Sequence, residues 1–346
     1  MRGHFFCARC PLVSMIRCFV LGLLLSLLLG TPAFAFTVVV TEPATPLVPT
    51  SVIELAQRLG YFAREGVDVR LLRVNGTPMA IVALSAGQGD LAEISLESLL
   101  KLNARGETRF RAISAPARSL SYVIVARDGI KSLQDLKGVS YGIGQTGTLD
   151  DTLTRTVLRR LGVDPEHLKL AAVGNPQLRL KALQAGKIDA TTISYASWMT
   201  FPEKAGLHIL LSKDAYFQAA PVVAKVNVVS TQTLRDRRSD VGKVVAALLK
   251  LARTFAADPQ RWAVGMQGAR PDVPEGELRS LAESYAADWC VDGCFGPDEL
   301  ASSAQIFQAA PGFPAGKSPR LADWTDRSIL SDVLATIGRA RRSSGQ

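Results

Sequence analysis

Histidine and cysteine are scarce: the 346-residue chain has three of the first and five of the second. His4, Cys7, Cys10 and Cys18 fall in the first 18 residues. A zinc centre needs three or four converging N or S ligands. Beyond the leader, His167 and His208 are isolated and Cys290 and Cys294 have no second pair beside them, so no metal and no cofactor are expected. There is no His-x-x-x-His pair and no cysteine-rich run, which argues against a zinc protease and against cysteine chemistry. Aromatics make up 7% of the chain and no block of like charge stands out, so nucleic acid is not an expected partner. After residue 35 no apolar run approaches the about 20 residues that span a bilayer.

What the first 35 residues contain is a leader. Arg2, Arg9 and Arg17 come without an acid, Phe19 to Leu29 is apolar apart from Gly22 and Ser26, and Ala33-Phe34-Ala35 has the small-x-small form of a signal-peptidase site. Met15 is an alternative start that leaves the same product. No Leu-x-x-Cys stands at the cleavage point, so a lipid anchor is not expected, and the chain is expected in the periplasm. The formal charge of +9 includes those three leader arginines, and apart from Arg339, Arg341 and Arg342 the rest is spread along the chain as a solvated surface. Cys290 and Cys294, exported to an oxidising compartment, are expected to form a local disulfide, because Asp292-Gly293 between them favours a turn.

From Phe36 on, β-branched runs alternate with segments of helical period, the pattern of an α/β protein. Strands are expected at 37–40, 67–74 and 90–95, with helices at 51–59, 79–86 and 96–104. A second cycle places strands at 122–125, 139–143, 168–173 and 189–193, with helices at 132–136, 150–161 and 178–185. Val222 to Ser230 is a further extended run, and later segments read as helices at 239–257, 259–266, 276–289, 297–308 and 324–337. The expected fold is two doubly wound α/β lobes joined by a two-strand hinge at 121–127 and 222–230, with a helical C-terminal tail. Lobe one takes residues 36–124, lobe two 125–224, and the chain then returns to lobe one with 225–346.

Four motifs occur in order: Gly60-Tyr61-Phe62-Ala63-Arg64-Glu65-Gly66-Val67-Asp68-Val69, Ala83-Leu84-Ser85-Ala86-Gly87-Gln88-Gly89-Asp90-Leu91-Ala92, Ile130-Lys131-Ser132-Leu133-Gln134-Asp135-Leu136-Lys137-Gly138, and Ala182-Leu183-Gln184-Ala185-Gly186-Lys187-Ile188-Asp189-Ala190. Over residues 37–230 the chain resembles the nitrate/sulfonate/taurine/thiamine-precursor-binding family of periplasmic solute receptors. The resemblance implies a monomeric, non-catalytic protein that takes a small organic or anionic solute, a sulfonate, nitrate, carboxylate or heterocycle, between its lobes and passes it to the permease and ATPase of an ABC transporter. Rival readings are a periplasmic enzyme of the same fold related to thiamine-precursor synthesis and a ligand-sensing subunit.

Ligands of open α/β sheets bind beyond the carboxyl ends of the strands. That rule, and the resemblance, select Thr41, Glu42, Leu47, Asn75, Gly76, Thr77 and Ser95 in lobe one, and Thr146, Gly147, Thr148, Ser194, Tyr195 and Trp198 in lobe two. Asn75-Gly76-Thr77 and Thr146-Gly147-Thr148 precede helices, whose free N–H groups suit an anionic or hydrogen-bonding group; they serve equally as caps and turns. Tyr195 and Trp198 either stack on a flat solute or bury against their lobe. Glu42 either meets a cationic group or is a plain loop carboxylate. Gly142-x-Gly144-x-x-Gly147 fits the dinucleotide fingerprint, but Asp150 and Asp151 in the next helical turn would repel a pyrophosphate. Ser98-x-x-Lys101 resembles an acyl-enzyme motif yet lacks the companion Lys-Thr-Gly triplet.

Overall fold

β-branched residues fill the centres of the strands because they pack well on a pleated surface buried on both faces. The computed structural model describes residues 35–42, 47–48, 52–118, 120–310, 312–315 and 318–340; residues 1–34 of the leader and the basic end from residue 341 lie outside them.

The chain first lays down β1 (Phe36–Val40), α1 (Val52–Arg58), α2 (Tyr61–Arg64), β2 (Val69–Arg73), α3 (Gly76–Ser85), β3 (Leu91–Ser95), α4 (Leu96–Ala104) and β4 (Phe110–Ser114). It then builds β5 (Tyr122–Arg127), a 3-10 turn at Leu133–Leu136, β6 (Ser140–Ile143), α5 (Leu149–Arg160), β7 (Lys169–Ala172), α6 (Pro176–Gln184), β8 (Ala190–Ser194), α7 (Tyr195–Met199), β9 (Leu207–Leu211) and α8 (Lys213–Ala219). It returns through β10 (Lys225–Ser230) and ends in α9 (Thr231–Asp236), α10 (Arg238–Ala257), α11 (Gln260–Ala269), α12 (Glu275–Ser284), α13 (Pro297–Gln308), α14 (Leu321–Trp324) and α15 (Ser328–Ile337).

Among the described residues the strands make two five-stranded sheets, ordered β2-β1-β3-β10-β4 and β7-β6-β8-β5-β9. The orders are equivalent. In each sheet the antiparallel strand, β10 or β5, is the first one laid down after the chain crosses from the other sheet. The repeated motifs do equivalent work too: Asp90 Oδ2 accepts the Thr37 amide on β1 at 2.8 Å, and Asp189 Oδ2 accepts the Ser140 amide on β6 at 2.9 Å. Gly87 and Gly186, each ending a helix just before those aspartates, have φ of 69° and 68°, a left-handed turn that glycine takes without strain.

The boundary expected at residues 124/125 cuts through β5. All of β5 pairs in the second sheet, with β8 from Tyr122 to Ala126 and with β9 from Ile124 to Arg127. The connections between sheets are therefore residues 115–121 and the segment after α8 up to Ala224. Strands β4 and β9 escape the sequence reading, since each is a five-residue run with one antiparallel neighbour. The helix expected at 324–337 is divided. Asp326 donates its amide to the Ala112 carbonyl of β4 at 2.8 Å and caps α15 through the Ser328 amide at 2.9 Å, so the chain stops being helical to hold the sheet edge.

The tail packs on the first sheet. α10 buries Val241, Val244, Val245, Leu248, Leu249, Ala252 and Phe255, a stripe recurring every three or four residues. The larger apolar cluster runs from this layer into the second sheet through Ile124, Tyr141, Leu153 and Val157. A smaller cluster lies behind the second sheet, around Val123, Val125, Leu180, Leu183 and Trp198.

Cys290 and Cys294 are joined by a disulfide, with Gly293 at φ 87° making the turn. The loop it closes holds the first connection between the sheets: Ala115 N donates to Gly293 O at 2.9 Å, Arg118 N to Asp288 O at 3.1 Å, and Ser121 Oγ to Asp288 Oδ2 at 3.1 Å. Arg253 of α10 anchors the same loop at Val291 O and Asp292 Oδ1, both 2.8 Å. Reducing the disulfide, or replacing both cysteines with serine, is expected to cost about 2 kcal/mol, as for closure of so short a loop. Urea unfolding with and without reductant reads that loss, and an unchanged midpoint contradicts it.

Candidate functional site

The carboxyl ends of β3 and β6, one from each sheet, lead into helices that touch across a gap between the sheets. The first turns of α4 and α5, which follow β3 and β6, meet there: Thr152 Oγ1 donates to Glu97 Oε1 at 3.0 Å in buried surroundings. Glu97, 3% exposed, is also paired with Lys101 Nζ at 2.6 Å.

In the first sheet the gap is bordered by a charged group that sequence reasoning missed. Glu93 of β3 and Lys225 of β10 form a 2.9 Å ion pair. Burial pushes the Glu93 carboxyl upward, against the pull of Lys225. Burial works to lower the Lys225 ammonium, but Glu93 and then Glu42 outweigh it, so the net shift is upward. Tyr122, at the start of β5 in the other sheet, is pushed up by burial, with the fields of Asp150 and Glu42 adding to it. Glu42 thus acts on groups of both sheets.

In the second sheet the turn before α5 is filled by its own carboxylates. Asp150 Oδ2 accepts the Gly144 amide at 2.9 Å, and Asp151 Oδ2 accepts the Gly147 amide at 2.8 Å. Thr148 Oγ1 donates to Gln145 O at 2.6 Å and to Asp150 Oδ1 at 2.5 Å. Arg179 of α6, 5% exposed, pairs with Asp150 at 2.9 Å and donates to Thr192 O at 2.7 Å. The Gly142-x-Gly144-x-x-Gly147 spacing is a packing pattern here. A Cβ on Gly142 would stand 2.5 Å from Ile188 Cδ1, one on Gly144 would press on Asp150, and Gly147 has φ 76°. The amides a pyrophosphate would need at Gly144 and Gly147 are already bonded. Beside these groups Tyr122 and Tyr216 meet edge to face at 5.8 Å. Two buried atoms here, Tyr216 Oη and Arg179 Nε, have no hydrogen-bond partner among the described residues.

The candidate residues divide. Thr41 and Gly76 are tied together, Gly76 N donating to Thr41 O at 2.9 Å, and Thr77 Oγ1 accepts the Ser95 amide at 3.3 Å. Asn75 caps α3 by position but makes no side-chain cap bond, which leaves its amide group exposed. Ser95 and Ser194 are working caps, bonded to the Ser98 and Ser197 amides at 3.2 and 3.1 Å. Leu47 is in the core, its carbonyl accepting from Tyr285 Oη at 3.0 Å. Trp198 is 8% exposed in the cluster behind the second sheet, with Lys204 Nζ 5.6 Å over its ring, so its ring is packing rather than a stacking platform. Tyr195 stays half-buried beside it, and Thr146 is an exposed turn residue. The missed pair carried a signal in the sequence: Glu93 is a charged residue inside the otherwise apolar start of β3, Leu91-Ala92-Glu93-Ile94.

The sequence also holds a Gly-x-Ser-x-Gly spacing at Gly138-Val139-Ser140-Tyr141-Gly142. In a hydrolase that serine sits on a strand-to-helix turn. Ser140 instead opens β6, with its hydroxyl bonded to Lys187 O at 3.3 Å. Ser98 is likewise spent on Ser95, at 2.7 Å between hydroxyls. Among the described residues no group of three His, Cys, Asp or Glu could hold a metal, and no helix is long and apolar enough to cross a membrane.

Two mixed sheets of equivalent order linked by two connections are the architecture of periplasmic solute-binding proteins. The chain belongs to the NMT1/THI5-like family, whose family model matches residues 51–262. It is 24% identical over 212 residues to a candidate binding protein of Brucella abortus, covering 61% of this chain and 65% of that one, just under two thirds of the relative's length. The fold matches the periplasmic aliphatic sulphonate binding protein of Escherichia coli (14% identity, 90% of this chain and 94% of that one, TM-score 0.67). It also matches the periplasmic nitrate-binding protein of Synechocystis (11% identity, 88% and 89%, TM-score 0.69).

Removing one side of the buried Asp150–Arg179 pair leaves an uncompensated charge. Arg179→Met is expected to destabilise the protein by about 3–5 kcal/mol, read as a lower urea midpoint; an unchanged midpoint contradicts the pairing.

Proposed function

We propose that the chain is the solute-receiving subunit of an ABC importer in the periplasm. It takes a small organic molecule between its two lobes without chemical change and presents it to the membrane permease and its ATPase. The observation that carries this reading is the meeting of helix first turns from both sheets, where Thr152 of α5 donates to Glu97 of α4 at 3.0 Å. The catalytic alternative has less support: each serine with an enzyme-like spacing is bonded into the scaffold.

Binding follows from an open form in which the lobes part at residues 115–121 and 220–224, and a closed form in which the Glu97–Thr152 bond spans the gap. Solute contacts made by both lobes exist only in the closed form, so binding shifts the population toward it. Asn75, Thr77 and Tyr195 are the candidates that keep groups near the gap, with the carboxylate of Glu42. A micromolar complex needs about 8 kcal/mol, against about 1 kcal/mol for one neutral hydrogen bond, so no single side chain dominates.

A thermal-shift panel of amines, alkanesulfonates, nitrate, aromatic carboxylates and pyrimidines is expected to give at least one hit that calorimetry resolves as one site per chain. A protein stabilised by none of them is not this receptor. Asn75→Ala is expected to weaken the hit by roughly three- to thirtyfold, a change of the size of one hydrogen bond, and unchanged affinity removes Asn75 from the site.

A further inference from the structure

Among the described residues only two that are not glycine have a positive φ, Ser121 at 49° and Cys294 at 41°. In this left-handed region a Cβ crowds the following carbonyl oxygen, so such a residue keeps its torsion only where the surroundings hold it there. The two stand on either side of one contact. Ser121 ends the first connection between the sheets, directly before β5, and Cys294 ends the disulfide loop against which that connection lies. Ala117 is bridged to Trp289, and Arg118 N donates to Asp288 O at 3.1 Å.

Two polar contacts hold Ser121, one from each side. Its hydroxyl donates to Asp288 Oδ2 at 3.1 Å, and its carbonyl accepts the Tyr195 amide at 2.8 Å. Asp288 belongs to the tail that packs on the first sheet, whereas Tyr195 opens α7 after β8 of the second. Ser121 is buried, so water does not replace either contact in this form. The loop that carries Asp288 is itself fixed: Ala340 N donates to Asp292 Oδ1 at 2.9 Å, and the Trp289 ring lies 5.1 Å from that of Phe255 on α10. The second connection is held differently. Val223 N donates to Ser303 Oγ at 2.9 Å, and none of residues 220–224 has a positive φ.

We propose that Ser121 is a strained pivot of lobe closure, a positioning residue whose left-handed torsion disfavours the closed form and whose bond to Asp288 offsets that strain. This rests on the solute-receptor reading above and adds to it the residue that sets the balance between open and closed forms. The torsion occurs together with the Glu97–Thr152 bond across the gap, that is, in the closed form. Parting the lobes at 115–121 turns backbone torsions there, and Ser121 is the residue for which leaving the observed φ is downhill. The same turn takes its hydroxyl away from Asp288. The two effects oppose each other and keep the forms close in free energy, so the contacts of a small solute are enough to shift the population.

The test compares Ser121→Ala with Ser121→Gly in the mature protein without solute, reading the ratio of closed to open molecules from the distance between spin labels at the exposed positions Met79 on α3 and Leu178 on α6. Ser121→Ala keeps the Cβ and loses the hydroxyl, and is expected to lower the ratio about three- to tenfold, the size of one hydrogen bond. Ser121→Gly loses the hydroxyl and the strain together, and is expected to stand about five- to thirtyfold above the alanine variant, the size of the left-handed penalty. A residue that served only through its hydroxyl would leave glycine no better than alanine. An alanine variant equal to the wild type overturns the role of Asp288, and a glycine variant at or below alanine overturns the strain. Where the variants leave the ratio unmoved while a member of the solute panel still shortens the distance, the role of Ser121 falls and the receptor reading stands. Where neither the variants nor the panel moves it, both fall.

Discussion

Everything functional in this molecule depends on the carboxyl ends of two parallel strand sets being brought to a single gap. The bond from Thr152 to Glu97 is its clearest mark, because it joins the first turn of a helix on one sheet to the first turn of a helix on the other. Neither partner is near the other in sequence. Their meeting follows from the equivalent sheet orders and from the rule that crossover connections between parallel strands have one hand.

The polar groups at that gap are costly to bury, and nearly all are paired off within their own sheet. Glu93 with Lys225 and Asp150 with Arg179 are buried ion pairs, whose mutual attraction has to offset the loss of water around both charges. Such pairs contribute little net stability but fix geometry. Asp150 and Asp151 hold the turn before α5 rigid at the expense of an anion site, while Arg253 and the Cys290–Cys294 loop hold the connection at 115–121. The sheet ends are therefore held in place by their own ion pairs and hydrogen bonds.

Much of the fold was legible in the sequence because it is local. α4 begins and ends where the apolar period and the Ser95 cap place it, and the Ser132 to Leu136 turn carries its capping box in the sequence. What was illegible depends on partners far along the chain. β4 and β9 are edge strands defined by antiparallel neighbours, and β5 looks like a crossing strand until its pairing with β8 is seen. For the candidate site, the strand-end rule selects Thr41, Asn75, Ser95, Thr148 and Ser194 as candidates, but it could not tell that two serines are spent as caps, that Leu47 and Trp198 face the core, or that Glu93 and Lys225 face each other.

The central claim is that two lobes close on a solute. The distance across the gap, measured between spin labels introduced at the exposed positions Met79 in the first turn of α3 and Leu178 in the first turn of α6 with and without saturating solute, tests it most directly. Closure predicts a shorter and narrower distance distribution once the solute is bound. A distribution that stays the same at saturation contradicts the account.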